Sequence, residues 1–183
     1  MPLVRMRACL LAVLVVALAA TAVPAGAAEP PPGVYPAATR EGVGSPSQSA
    51  GHLLGRIHVP SIGLSHSILA GVSLDVLDEG VGHWAGTSWA GEAGNVVLAG
   101  HRTTYSAPFA DLDRLTAGDL VFVSDPAGTA IYEISGTFIV DPTDVWITYE
   151  TGQPIVTLFA CHPKGSARYR IVARGGLIEY RIH

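Results

Sequence analysis

Cys161 is the residue that bounds the chemistry open to this chain. The sequence holds two cysteines. Cys9 lies inside an apolar leader, so Cys161 has no partner for an internal disulfide. An exported chain can use such a thiol in three ways: as a bridge to another chain, as a buried bystander, or as a nucleophile. Its setting favours the nucleophile. It closes the apolar run 155–160, and Arg168 and Arg170 follow it.

A thiol nucleophile needs a group that manages its proton. Of the seven histidines, His101 is the strongest candidate. It follows the buried-type strand 95–99 through Gly100, which lets the backbone turn and leaves the ring at a strand end. The polar stretch from Arg102 to Ser106 comes next, where a loop lining a site belongs. The plain alternative is a half-exposed histidine at a strand terminus. His162 adjoins the cysteine, but neighbours on a strand face opposite ways. His58 and His66 read as surface or half-buried positions, and His83 as packing beside Trp84. No pair of histidines with a carboxylate has the spacing of a closed zinc site.

Acyl transfer also develops negative charge on a carbonyl oxygen, which a fixed cation stabilises. Arginine stays charged and offers a rigid donor fork. Arg170 opens the strand 170–173, nine positions beyond Cys161. A loop of that length can fold back and set the start of one strand beside the end of its neighbour. Arg168 has the same parity. A solvated charge on a strand is the alternative for each.

The elements that must carry these residues read mostly as short strands. Segments 55–60 and 64–69 alternate, with Pro60 and Gly63 marking a turn. Strands are also expected at 95–99, 119–124, 130–135, 137–140, 155–160 and 171–173. Short helices are expected at 74–79, capped by Ser73, and at 109–115. Many short strands at near-regular spacing indicate an all-β barrel or sandwich. No βαβ alternation supports a parallel α/β sheet.

Ahead of these elements, residues 1–28 read as a signal peptide or an N-terminal membrane anchor. Arg5 and Arg7 precede an uncharged stretch, and Ala25-Gly26-Ala27 is a cleavage-type site. The stretch is also close to the roughly 20 residues that span a bilayer. Both readings place the rest of the chain outside the cytoplasm. Residues 29–51 form a linker rich in Pro, Gly and Ser. Residues 52–183 are the size of one ordinary domain. A net charge of −4, with no basic stripe, argues against nucleic acid.

Three motifs in order give the chain a resemblance to the sortase family of cysteine transpeptidases, over essentially 53–177. GNVVLAGHR at 94–102, followed by Pro108-Phe109, resembles the segment bearing the sortase histidine. TLFAC at 157–161 resembles the T-L-x-T-C signature, and RIV at 170–172 resembles the final strand with its arginine. Weaker matches include HWAGT at 83–87. Cys161-His162-Pro163 and the short gap to Arg170 look most like the class E group of high-GC Gram-positive bacteria. Ala160 departs from the pattern, which has threonine before the cysteine. That departure bears on substrate fit and rate.

The resemblance implies a closed eight-stranded β-barrel with short helices. It implies Cys161 as nucleophile on the Thr–Gly carbonyl of an LPxTG- or LAxTG-like sorting signal. His101 would exchange protons with the leaving and incoming amines, and Arg170 would hold the oxyanion. The substrates implied are surface proteins with a C-terminal sorting signal, and the acceptor is an amine on a peptidoglycan precursor or a pilin. Membrane contact would come through the N-terminal segment if it is uncleaved. No cofactor and no metal are required. Some sortases respond to calcium, but no segment here justifies transferring that property.

Two other readings compete. An L,D-transpeptidase-like thiol enzyme would carry a Ser-x-Gly-Cys motif, which Phe159-Ala160-Cys161 does not match. A catalytically impaired sortase-like binding domain is kept open by Ala160.

Overall fold

The computed structural model describes residues 51–183. The leader and nearly all of the linker lie outside the described residues. Eight strands are present: β1 Leu53–Val59, β2 Leu64–Ala70, β3 Val81–His83, β4 Asn95–Ala99, β5 Leu120–Ser124, β6 Gly128–Val140, β7 Ile155–His162 and β8 Tyr169–Ile182. They close into a barrel in the order β1-β2-β3-β4-β7-β8-β6-β5. The all-β, closed-barrel expectation is met. Two neighbouring pairs, β2/β3 and β4/β7, are nonetheless parallel.

Strand alternation explains the interior. Ile57 and Val59 of β1, Val96 and Leu98 of β4, Val156, Leu158 and Ala160 of β7, and Ile171 and Ala173 of β8 all join one core cluster. Alternate residues of one strand line one face, so the odd-numbered positions of β7 face outward. A smaller cluster of Val140, Ile147 and Val172, flanked by Phe138, Trp146 and Phe159, builds a second layer on that outer face.

The helix α1, Leu74–Glu79, has the bounds the sequence gives it. Ser73 occupies the cap position, but its side chain makes no capping hydrogen bond. The helix expected at 109–115 shrinks to a 3₁₀ turn at Leu112–Arg114. Segments 130–135 and 137–140 are one strand, β6. Its register shifts between Ile134 and Gly136, with Gly136 at φ 159°, a bulge that sequence alternation reads as a break. β8 is far longer than 171–173: it runs on through Gly175 and Gly176, where the apolar signal breaks, into the exposed alternating segment 178–182. β3 and a 3₁₀ turn at Val145–Thr148 carry no sequence signal of their own.

Candidate active site

The site is assembled by strand register. β7 runs through Cys161 and His162 before Pro163 ends it. In the antiparallel β7/β8 ladder, Cys161 is directly opposite Arg170. Opposed residues share a face, with Cβ atoms about 5 Å apart. In the parallel β4/β7 ladder, Ala99 pairs with Phe159. The Gly100 N–H continues it by donating to the Phe159 carbonyl at 3.3 Å. β4 ends at Ala99, and His101 lies two residues beyond that end, in the direction in which the parallel β7 runs on to Cys161. Cys161 and Arg170 stand opposite one another on β7 and β8, and His101 follows the end of the adjoining β4.

Cys161 is free and half-buried. His101 is also half-buried, and its Nε2 donates to Asp78 Oδ1 at 2.9 Å. The Tyr105 ring stacks on the imidazole, with centroids 5.4 Å apart and planes 23° apart. Among the described residues no hydrogen bond joins the thiol to the imidazole. Arg170 Nη1 donates to the carbonyls of Ala167 and Tyr169, both at 2.9 Å. Two carbonyls of its own loop therefore fix the guanidinium, and its remaining nitrogens have no partner among the described residues. Arg168 is exposed, over the ring of Tyr169.

Gly100 differs from expectation. Its φ is not in the positive region. A Cβ there would stand 2.9 Å from Phe109 Cδ2 and 3.1 Å from Pro108 Cγ. The position is small because Phe109, fully buried, packs onto the backbone that leads to His101.

Arg102 and His162 also differ. Arg102 does not line an exposed loop. It is 3% exposed, hydrogen-bonds His162 Nδ1 through Nη1, and reaches Asp113 Oδ2 at 2.8 Å through Nη2. Arginine only donates, so His162 Nδ1 is occupied as an acceptor. The histidine beside the cysteine is structural, and it ties the ends of β4 and β7 to the turn that carries Asp113.

A groove adjoins the site on the outer face. Trp84, Pro142, Val145, Ile147 and Phe159 line it, with Arg170 and the carboxylates of Asp141 and Asp144 at its rim. Phe159 lies two positions before Cys161 and on its face. The segment 141–154, which supplies the opposite wall through residues 141–148, is held down by polar groups, of which Asn95 is buried. Asn95 Nδ2 donates to the carbonyls of Ile147 and Tyr149, at 2.9 and 3.1 Å. Arg174 Nη2 donates to the Ile147 carbonyl at 3.1 Å, while its guanidinium lies over the rings of Phe138 and Trp146. Glu150 accepts from the N–H groups of Ser88 and Asn95. The buried Asn95 amide thereby finds its partners.

Sequence reasoning missed Asn95, Arg174 and Glu150, and it missed Asp78 and Tyr105 beside His101. Only Asp78 and Tyr105 left a trace: a carboxylate in an expected helix, and an aromatic residue in the expected loop. Among the described residues, no group of three or more His, Cys, Asp or Glu could hold a metal ion. No described helix is long and apolar enough to cross a membrane.

Comparison with known proteins agrees with the fold. The profile of the sortase domain matches residues 57–178. Sortase SrtE1 of Streptomyces coelicolor is 31% identical over 141 residues, covering 68% of this chain but 40% of SrtE1. Sortase D of Bacillus subtilis is 32% identical over 129 residues, covering 68% of this chain and 64% of that protein. The solved structure of sortase E from Streptomyces avermitilis superposes with a TM-score of 0.68 at 29% identity, covering 74% of this chain and 93% of that one.

Proposed function

The chain belongs to the sortase family and is class E-like, and on that premise we propose that it is a cysteine transpeptidase acting on sorting signals. The Cys161 thiolate attacks the Thr–Gly carbonyl of an LPxTG- or LAxTG-like segment. The carbonyl electrons move to oxygen, and the oxyanion is held by the free side of the Arg170 guanidinium. Collapse forms the thioester and expels the glycine amine, which takes a proton from the His101 imidazolium. An acceptor amine then attacks the thioester and gives its proton back to His101. Cys161 leaves as thiolate, and the product is a new amide. The acceptor amine belongs to a peptidoglycan precursor or a pilin.

The observation that carries this reading is the register of Cys161 opposite Arg170 in the β7/β8 ladder, with His101 two residues past the end of β4, the parallel neighbour of β7. The apolar groove ending at Arg170 supports a peptide substrate laid along β7. We place the reaction outside the cytoplasm. There 52–183 acts as the catalytic domain, 29–51 as a linker, and 1–28 as a signal peptide or membrane anchor.

The test is incubation of the full chain with a sorting-signal peptide and an amine. Mass spectrometry should find the ligated product from the native chain and none from Cys161→Ala, with the circular dichroism of the variant unchanged. Equal turnover by Cys161→Ala would refute the reading.

A further inference from the structure

Asp78 stands in none of the motifs that define the site, yet among the described residues it makes the one hydrogen bond of the His101 imidazole. It projects from α1, whose Val76 is buried against the barrel, and reaches the residue beyond the end of β4. The contact is partly sheltered, with side-chain exposures of 17% for His101 and 30% for Asp78. Tyr105 closes the arrangement. Its ring stacks on the imidazole, and the nearby Asp78 carboxylate holds its phenol above the usual range. Tyr105 sits at φ 55° and Ala107 at φ 44°, in the left-handed region that residues with a side chain seldom occupy. Such backbone costs of order 1 kcal/mol and persists where the surroundings over-determine it, often at functional sites. Packing does not require it here, since Tyr105 is 69% exposed. What the strained turn achieves is to set that ring against His101.

The chemistry follows from what a carboxylate can do. Asp78 ionised only accepts, so Nε2 of His101 keeps its proton whether the ring is neutral or charged. In the neutral ring the lone pair is then on Nδ1, and Nδ1 has no partner among the described residues.

We propose that Asp78, braced by Tyr105, is the positioning residue of His101: it fixes the Nε2–H tautomer, makes Nδ1 the nitrogen that exchanges protons with the substrate amines, and balances the imidazolium charge. The role given to His101 rests on the sortase reading above; the tautomer assignment does not. A base oriented by a third group is the general logic of an activated nucleophile.

The test uses the full chain with Asp78→Ala, Asp78→Asn and Tyr105→Phe. Two readouts are taken: ligation kinetics, and the ¹⁵N shifts of the His101 ring at alkaline pH, assigned by their absence from His101→Gln. In the native chain Nε2 should give a protonated-type shift and Nδ1 an unprotonated one. Asp78→Ala should move both toward the average of two exchanging tautomers and lower kcat about tenfold with KM unchanged, part of the 10²–10⁴ that a positioned proton-transfer group contributes. Asp78→Asn is isosteric and keeps an acceptor, so it should hold the tautomer and lose several-fold in kcat through the missing charge alone. Tyr105→Phe keeps the stack and should fall between Asp78→Asn and the native chain. Unchanged ¹⁵N shifts and kcat in Asp78→Ala would overturn the proposal while leaving the sortase reading standing. A native chain that ligates nothing would instead defeat the sortase reading, and the ring shifts would still decide whether Asp78 sets the tautomer.

Discussion

At the scale of the residue, the site separates groups that do chemistry from groups that hold others in place, and neighbours in sequence fall on opposite sides of that line. Cys161 shares the outer face of β7 with Phe159, which lines the groove, whereas Ala160 points into the core at 3% exposure. A side chain at 160 therefore does not border the groove, so the departure from the family's threonine is a difference in packing beneath the site. This weakens the reading of the chain as an impaired binding domain. His101 and Arg102 divide in the same way, one half-buried at the site and the other sealed beneath it. Arg170 is proposed to act through its planar fork rather than its charge alone. Arg170→Lys should therefore lower kcat roughly a hundredfold, as loss of an oxyanion donor does, with KM little changed. Steady-state kinetics matching the native chain would remove Arg170 from the oxyanion role.

At the scale of the element, strand ends are the precision parts. β7 and β8 carry Cys161 and Arg170, β4 leads to His101 just past its end, and backbone ladders fix the relative register of the three strands. A one-residue slip would turn every side chain to the other face. Buried side chains add a second restraint. Arg102 joins the ends of β4 and β7 through His162, and Asn95 with Thr157 links the same two strands by a 2.8 Å hydrogen bond. Phe109 presses on Gly100 just before His101. Gly100→Ala should therefore push against a ring with no free space. We expect a loss of about 1–3 kcal/mol, read by chemical denaturation. A fall in kcat larger than that of a distant variant of equal stability should accompany it, because the displaced backbone carries the imidazole.

At the scale of the whole molecule, the closed barrel supplies rigidity, and its stability carries a pH dependence away from the active site. Burial holds the His83 ring below its usual range near 6.5, only partly opposed by its hydrogen bond to the Ser88 carbonyl and by Glu92. The folded state therefore binds fewer protons than the unfolded chain just below that value. Stability then rises with pH through this window and falls on acidification below about 6.5. His83→Gln should flatten that part of the curve in thermal unfolding followed from pH 7 to pH 5. A slope equal to that of the native chain would show that His83 binds protons equally in the folded and unfolded states. Much of the architecture was legible beforehand. Alternating apolar residues fixed the inward faces of β1, β2, β4 and β7, and three ordered motifs marked Cys161, His101 and Arg170. Less was legible where the signal is non-local. In β8, Arg174, Gly175 and Gly176 are held by pairing with both β6 and β7 rather than by an apolar run, and Asn95, Arg174 and Glu150 gain meaning only from partners about 17 to 62 positions away. By itself the sequence determined which reactive groups exist and the strand alternation that gives each a face, because residue type and period-2 patterning are local properties. Only the tertiary structure decided that Asp78 meets His101, that Arg102 is buried beneath the site, and that 141–148 walls the groove. Those outcomes depend on which distant strand ends the closed barrel brings to one edge, and no single segment encodes that distance.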